Sequence, residues 1–337
     1  MLNRLVAKEI PRRVDRGSWD GKLNRVGNDD SWVGKMNIGT PWQEVEFEFD
    51  TMSASTIIEI GNEELGSLFR HTESSSLSRT EQYVFQNSEG DTTCRIATDI
   101  MSVWGLPITK QSFALCKSSP TDLSGNPYTG VSGGLIGLAF PSISQLPSSH
   151  SPFLDVLSME NVMASPLFSF RISRDTIFPS TITLGGVNNA IIGSFYWTPV
   201  VTEGYWQVLF QAIRLDKQAI LKDMHAIIDI STTAIIAPPS YVRKFYEMID
   251  GARPLNEGLW LIRGDAKIEL SFRLSNQDFP FSQESFILGV DQSGMCVGAI
   301  AESSLKEDVW IIGTSFLKNV VTAFDYENTR VGFTWFM

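Results

Sequence analysis

The chain has 337 residues, 43% hydrophobic and 19% charged, which excludes a disordered polypeptide and is long enough for two lobes around large cores. The 27 basic and 38 acidic residues leave a net charge of −11, so the positive face needed to hold nucleic-acid phosphates is not expected. No apolar stretch reaches the roughly 18 residues of a membrane span. Met1 to Asp15 carry Arg4, Lys8, Arg12 and Arg13 without the apolar run of a secretory signal.

In chain order, residues 1–30 read as an irregular N-terminal arm, basic and then polar. Trp32 to Ile38 reads as a strand. A Gly39-Thr40-Pro41 turn follows, then a strand ending in Phe47-Glu48-Phe49-Asp50-Thr51-Met52-Ser53, where apolar and charged residues alternate from Val45 to Phe49. Residues 74–78 are a serine-rich loop. Tyr83 to Asp99 holds two strand-like runs about a polar tip at Asn87-Ser88-Glu89-Gly90-Asp91, the pattern of a hairpin. Residues 118–133 are a long loop rich in Ser, Gly, Pro and Thr. Helical signals are short and fall at Pro152–Met159 and Ser240–Ile249. Many short strands with turns between them predict an all-β fold.

An internal repeat adds to this. Asp50 precedes Gly134-Leu135-Ile136-Gly137-Leu138 by nearly the distance at which Asp229, in Ile227-Ile228-Asp229-Ile230-Ser231-Thr232, precedes Trp310-Ile311-Ile312-Gly313-Thr314. The same order at similar spacing predicts two alike β lobes, residues 31–190 and 191–337, with a cleft between them that binds substrate. Gly185-Gly186 and Thr198-Pro199 mark the boundary region near Thr183–Val200.

Several blocks resemble the pepsin-like aspartic protease family. They are Gly34-x-x-x-Ile38-Gly39-Thr40-Pro41-x-Gln43 with Phe49-Asp50-Thr51, Gly134 to Pro141, Gly204 to Val208, Ile311-Ile312-Gly313, and Phe324 to Phe333. The resemblance implies a bilobal all-β fold in which Asp50 and Asp229 face one another and share one proton. It further implies that one Asp activates a water while the other donates a proton. It places Ser53 and Thr232 as hydroxyls on the outer carboxylate oxygens, and Thr51 as a brace between the lobes.

The same resemblance exposes departures. Met52 and Ser231 stand where the family has glycine beside each Asp, and a side chain at that position is expected to crowd the approach to the opposing carboxylate. Ile230 replaces the second bracing hydroxyl. At the hairpin tip Asn87 and Ser88 stand in place of a tyrosine and a glycine. Thr314 stands where many members carry a third acid, and Arg263 where a cysteine would pair with Cys296. Substrate contacts are expected from Met52, Ile230, Phe85, Asn87 and Ser88.

Met52 and Ile230 read as packing, or as an apolar floor that raises a carboxylate pKa by desolvation. The Asp pair reads as an acid–base catalyst or as inherited acids in a silent cleft. Three functions follow. One is an enzyme repurposed for acid–base chemistry on a non-peptide or modified small substrate, by cyclisation, elimination or isomerisation. Another is an aspartic endopeptidase. The last is a pseudoprotease that binds a peptide or partner.

His71, His150 and His225 are far apart and read as surface or satisfied side chains. No metal-ligand spacing, phosphate loop or cofactor motif is recognisable, and a monomer without metal or cofactor is expected. Cys94, Cys116 and Cys296 are an odd set that fits a reducing, cytoplasmic compartment. Cys94 and Cys116 lie on adjacent runs and are open to either a bridge or two buried thiols.

Overall fold

The computed structural model describes residues 17–26, 31–60, 69–87, 90–117, 132–173, 178–188, 193–303 and 309–335. Among them, strands form sheets of 13, 8 and 4 members, and the helices are short. The fold is mostly β, as the density of short alternating runs predicts. The expected helices appear as Phe153–Met159 and Pro239–Tyr246.

In the first half, the strand Ser31–Ile38 pairs with Gln43–Asp50. The sheet continues through Gly134–Gly137, Thr56–Glu59, Leu106–Cys116 and Gly90–Val103. Gly90–Val103 returns to pair with Ser31–Ile38, closing a barrel of six strands. Closure leaves no open edge and encloses Val45, Phe47, Ile58 and Phe113, all buried. Ser78–Asn87 pairs outside this barrel with Gly90–Val103 as the long hairpin, closing at Asn87 opposite Gly90.

The second half repeats the central motif. Gln218–Ile228 runs parallel to Trp310–Ile312, which pairs antiparallel with Ile235–Ala237. In the first half Gln43–Asp50 runs parallel to Gly134–Gly137, which pairs antiparallel with Thr56–Glu59.

A shared platform joins the halves. Its strands run in the order Trp19–Lys22, Thr181–Leu184, Leu167–Arg171, Val320–Asp325, Arg330–Trp335, Tyr196–Thr202. Val320–Asp325 is buried at every position, so its VVTAF run shows no alternation. The boundary expected at 190 falls among residues 189–192, outside the described ones.

The arm expected to be irregular contains two strands. Trp19–Lys22 extends the platform, and Asn24–Val26 pairs with Ser31–Val33. Four- and three-residue runs are too short to show a period, and tertiary partners fix them. Asp20, for example, accepts hydrogen bonds from Thr183 Oγ1 and Asn188 Nδ2. Residues 1–16, 27–30 and most of the 118–133 loop lie outside the described residues. Cys94 and Cys116, paired across adjacent strands, form a disulfide, while Cys296 is buried and free. Among the described residues no helix is long and apolar enough to cross a membrane.

Candidate active site

Each acid is delivered by a strand and fixed by a glycine on its parallel neighbour. Asp50 lies beside Gly137 in register, and its carbonyl accepts from Leu138 N at 2.7 Å. A Cβ on Gly137 would sit 2.6 Å from the backbone of residues 53–55. The other loop is built alike. Asp229 N donates to Ile312 O at 3.0 Å, and Thr314 N donates to Thr232 O at 2.7 Å. A Cβ on Gly313 would lie 2.3 Å from Ala234 O. These glycines are needed because the loop backbone presses directly on them.

The two loops meet at the lobe boundary, where Asp50 is 4% and Asp229 1% exposed. Thr51 Oγ1 donates to Ile228 O at 2.9 Å and accepts from Ile230 N at 3.1 Å. Its oxygen is also 3.3 Å from Asp229 Oδ1. Ile230 has no hydroxyl to return this brace and packs in the core, 3% exposed. A second cross-lobe tie runs from the Trp206 indole N–H to Leu138 O at 2.8 Å.

The carboxylates differ in their partners. Asp229 Oδ2 accepts from Thr232 Oγ1 at 2.5 Å and Thr232 N at 3.0 Å, and Oδ1 accepts from Ser231 N at 3.1 Å. Asp50 Oδ1 accepts from Met52 N at 2.7 Å. Met52 is half-buried and leaves that N–H in place; the group that enters the space between the acids is Ser231. Its hydroxyl oxygen lies 3.2 Å from Asp50 Oδ1 and 3.0 Å from each Asp229 oxygen.

Ser53 does not take the place expected for it on Asp50. Its hydroxyl accepts from Ser55 N at 3.2 Å, closing a local turn of the kind serine favours. Thr232 does reach its Asp, because its loop presents hydroxyl and N–H together.

Burial pushes the Asp50 carboxyl well above the usual carboxylate range, and the Asp229 charge opposite adds to this. The Met52 N–H opposes the rise, Glu48 reinforces it and the Ser231 hydroxyl opposes it. Glu48, 8% exposed, lies two residues before Asp50 and so on the same face of the strand. The single Ser231 hydrogen satisfies one carboxylate at a time. A proton retained on Asp50 completes a chain from Asp50 through Ser231 to Asp229.

Of the expected substrate contacts, Met52 is half-buried beside Asp50, whereas Ile230 packs in the core at 3% exposure and offers a substrate no surface. Phe85 and Asn87 belong to the hairpin strand Ser78–Asn87, but their side chains, and all of Ser88, lie outside the described residues. Tyr83 stands opposite Cys94, well back from the tip, and packs on a cluster with Ile57 and Ile96. Thr314 is buried behind the second loop. Arg263 pairs with Asp265 at 2.6 Å and Asp250 at 3.6 Å. His225 is exposed, and His150 Nδ1 contacts Ser112 Oγ at 3.1 Å. Among the described residues no cluster of His, Cys, Asp and Glu fits a metal ion.

Sequence reasoning placed Ser231 beside the acids but did not foresee its bridging position. It passed over Glu48 as a third buried acid, although the two-residue spacing to Asp50 was visible.

Two alike lobes that bring paired aspartates together at glycine-backed loops define a pepsin-type aspartic protease architecture. The chain belongs to the eukaryotic aspartyl protease family, whose model matches residues 31–335. It is 29% identical over 321 residues to pepsin A of Sus scrofa, covering 90% of this chain and 81% of that protein. It is 28% identical over 324 residues to pepsin-3 of Oryctolagus cuniculus, covering 90% and 80%. It is 28% identical over 323 residues to gastricsin of Callithrix jacchus, covering 90% and 81%.

Proposed function

We propose that the chain is an aspartic endopeptidase that hydrolyses peptide bonds with Asp50 as general acid and Asp229 as general base. The observation that carries this reading is the meeting of the two buried acids, with the Thr51 brace that joins the Asp50 loop to Ile228 O, Ile230 N and Asp229 Oδ1. Asp229, held by Thr232 and Ser231, takes a proton from water as the water oxygen bonds to the substrate carbonyl carbon. Asp50, whose proton burial retains, gives it to the carbonyl oxygen. Collapse breaks the C–N bond as Asp229 returns its proton to the leaving nitrogen and Asp50 recovers one from a hydroxyl of the adduct, which leaves as the new carboxyl. The substrate is an extended peptide in the inter-lobe cleft.

The test is incubation with denatured protein from acid to neutral pH, with and without a transition-state-mimic inhibitor of aspartic proteases. Inhibitor-sensitive cleavage, lost in Asp50→Asn and Asp229→Asn, is expected. Absence of cleavage at every pH would overturn the reading.

One observation favours a second reading. Ser231 stands between the carboxylates, which suits proton transfer within a non-peptide or modified small substrate, by cyclisation, elimination or isomerisation, with no free water. In that case the same Asn variants abolish conversion of such a substrate while peptides stay intact.

The Cys94–Cys116 bond supports maturation in an oxidising compartment, in place of the cytoplasmic location expected from cysteine usage. Free-thiol titration of the denatured protein isolated from its cells tests this: one thiol is expected, and three would refute it.

A further inference from the structure

We infer that the Ser231 side chain occupies the place of the attacking water, so that hydrolysis by this chain is held back by its own serine and proceeds when that hydroxyl swings aside. The inference rests on the endopeptidase reading of the dyad and deepens it.

A water activated by two carboxylates must lie within hydrogen-bonding distance of both. The Ser231 oxygen is already at such a point, 3.2 Å from Asp50 and 3.0 Å from both oxygens of Asp229. Hydroxyl and water oxygens are alike in size and hydrogen bonding, so two of them do not share the point. The serine is tethered to the loop that carries Asp229, and its local concentration is therefore set by one side-chain torsion rather than by diffusion. Ser231 is half-exposed, which leaves room for the torsion to change.

The serine side chain is not what holds the loop together. The backbone N–H groups of Ser231 and Thr232 bind Asp229 without it. Ser231 is not among the residues with positive φ, so alanine fits its backbone as well as glycine does. Removing the hydroxyl therefore empties the point between the acids and leaves the loop standing.

The probe is a pair of apolar hexapeptide analogues. In one the central peptide bond is replaced by hydroxyethylene, whose carbinol mimics the tetrahedral adduct; in the other it is replaced by the corresponding ethylene without the hydroxyl. Affinities are measured by calorimetry for the wild type, Ser231→Gly, Ser231→Ala and Ser231→Thr. The expected result is that the carbinol binds roughly tenfold or more tighter to the Gly and Ala variants than to the wild type. Ser231→Thr keeps a hydroxyl and stays at the wild-type value, and the ethylene analogue binds all four proteins alike.

Equal carbinol affinity in wild type and Ser231→Gly overturns the inference. So does weaker binding in both Gly and Ala variants, or no binding to any. Cleavage of denatured protein is recorded on the same samples. Faster cleavage by the Gly and Ala variants supports the brake, and fastest cleavage by the wild type overturns it. If the affinities shift as expected while no variant cleaves, Ser231 keeps its assigned place and the endopeptidase reading falls.

Discussion

Asp50 ends a strand that runs parallel to Gly134–Gly137, and Asp229 directly follows one that runs parallel to Trp310–Ile312. Around the first acid, Met52 supplies one N–H and Ser53 turns to its own backbone. Around the second, Ser231 and Thr232 supply two N–H groups and two hydroxyls. Equivalent frames thus hold unequal carboxylates. The frame follows from strand pairing and from the two glycines. The inequality follows from side chains that reach, or fail to reach, the acid beside them.

The frame is broken most severely at its glycines. Gly313→Ala puts a methyl 2.3 Å from Ala234 O, and Gly137→Ala puts one 2.6 Å from Ser53 O. Neither backbone can retreat without losing the bonds from residue 314 or residues 138 and 139. Denaturant melts are expected to show a loss of about 3 kcal/mol or more for each. A loss below about 1 kcal/mol in Gly313→Ala would mean that the loop does not press on the strand as described.

The acids are separated by exchanging each for asparagine. Both exchanges are expected to abolish the proposed cleavage, while their stabilities diverge. An amide in place of Asp229 sets an NH2 or a weaker acceptor against the N–H groups of Ser231 and Thr232, at a cost on the order of 3 kcal/mol. At position 50, the asparagine Oδ1 keeps accepting from Met52 N and from the Ser231 hydroxyl. The sign of the pH dependence follows from linkage. A carboxyl raised by folding contributes its full stability below its unfolded pKa and loses it as pH rises through the folded value. Asp50→Asn therefore gains on the wild type in melting temperature between acid and neutral pH. A difference that does not change with pH would remove the retained proton from the mechanism.

The lobes also differ in their cysteines. The first carries the Cys94–Cys116 bond over a separation of 22 residues, and the second carries buried Cys296 alone. Replacing Cys94 and Cys116 together by alanine is expected to cost about 3 kcal/mol. Cys296→Ala is expected to cost about 1 kcal/mol. Equal costs in urea titrations would deny the bridge its role in the first lobe.

The frame was legible in the sequence because it repeats. Two apolar strands ending in Asp, each followed at similar spacing by an apolar-apolar-Gly block, specified both the pseudo-symmetry and the meeting of the acids. The short strands at Trp19–Lys22 and Asn24–Val26 were illegible because their partners, Thr181–Leu184 and Ser31–Val33, rather than their own pattern, make them extended. The filling of the site was half legible. Residue identity showed that Ile230 could not return the Thr51 brace. It did not show that Ser53 would bond Ser55 while Ser231 bridged both acids, since either hydroxyl has several rotamers and several acceptors within reach. A cysteine pair on adjacent runs allowed a bridge, but only the register that sets Cys94 opposite Cys116 decided it.

The smallest single effect is expected at Ile230, on the open side of the one-sided brace, and it sharpens the comparison most. Thr51→Val keeps the shape but removes the hydroxyl that joins Ile228 O and Ile230 N, leaving both buried groups short of a partner at about 2 kcal/mol. Ile230→Thr attempts the converse. It supplies a hydroxyl on the second loop, placed by the pseudo-symmetry to reach the backbone of the first. A returned hydrogen bond is worth about 1 kcal/mol, and the apolar burial given up costs a similar amount. The single variant should therefore lie within about 1 kcal/mol of the wild type. The informative quantity is the coupling. If the new hydroxyl completes a reciprocal brace, Thr51→Val becomes less costly in the Ile230→Thr background than alone, because the lobes keep one tie. Strict additivity in the double-mutant cycle would show that Ile230 serves as core packing alone and that the asymmetry of the site lies wholly with Ser53 and Ser231.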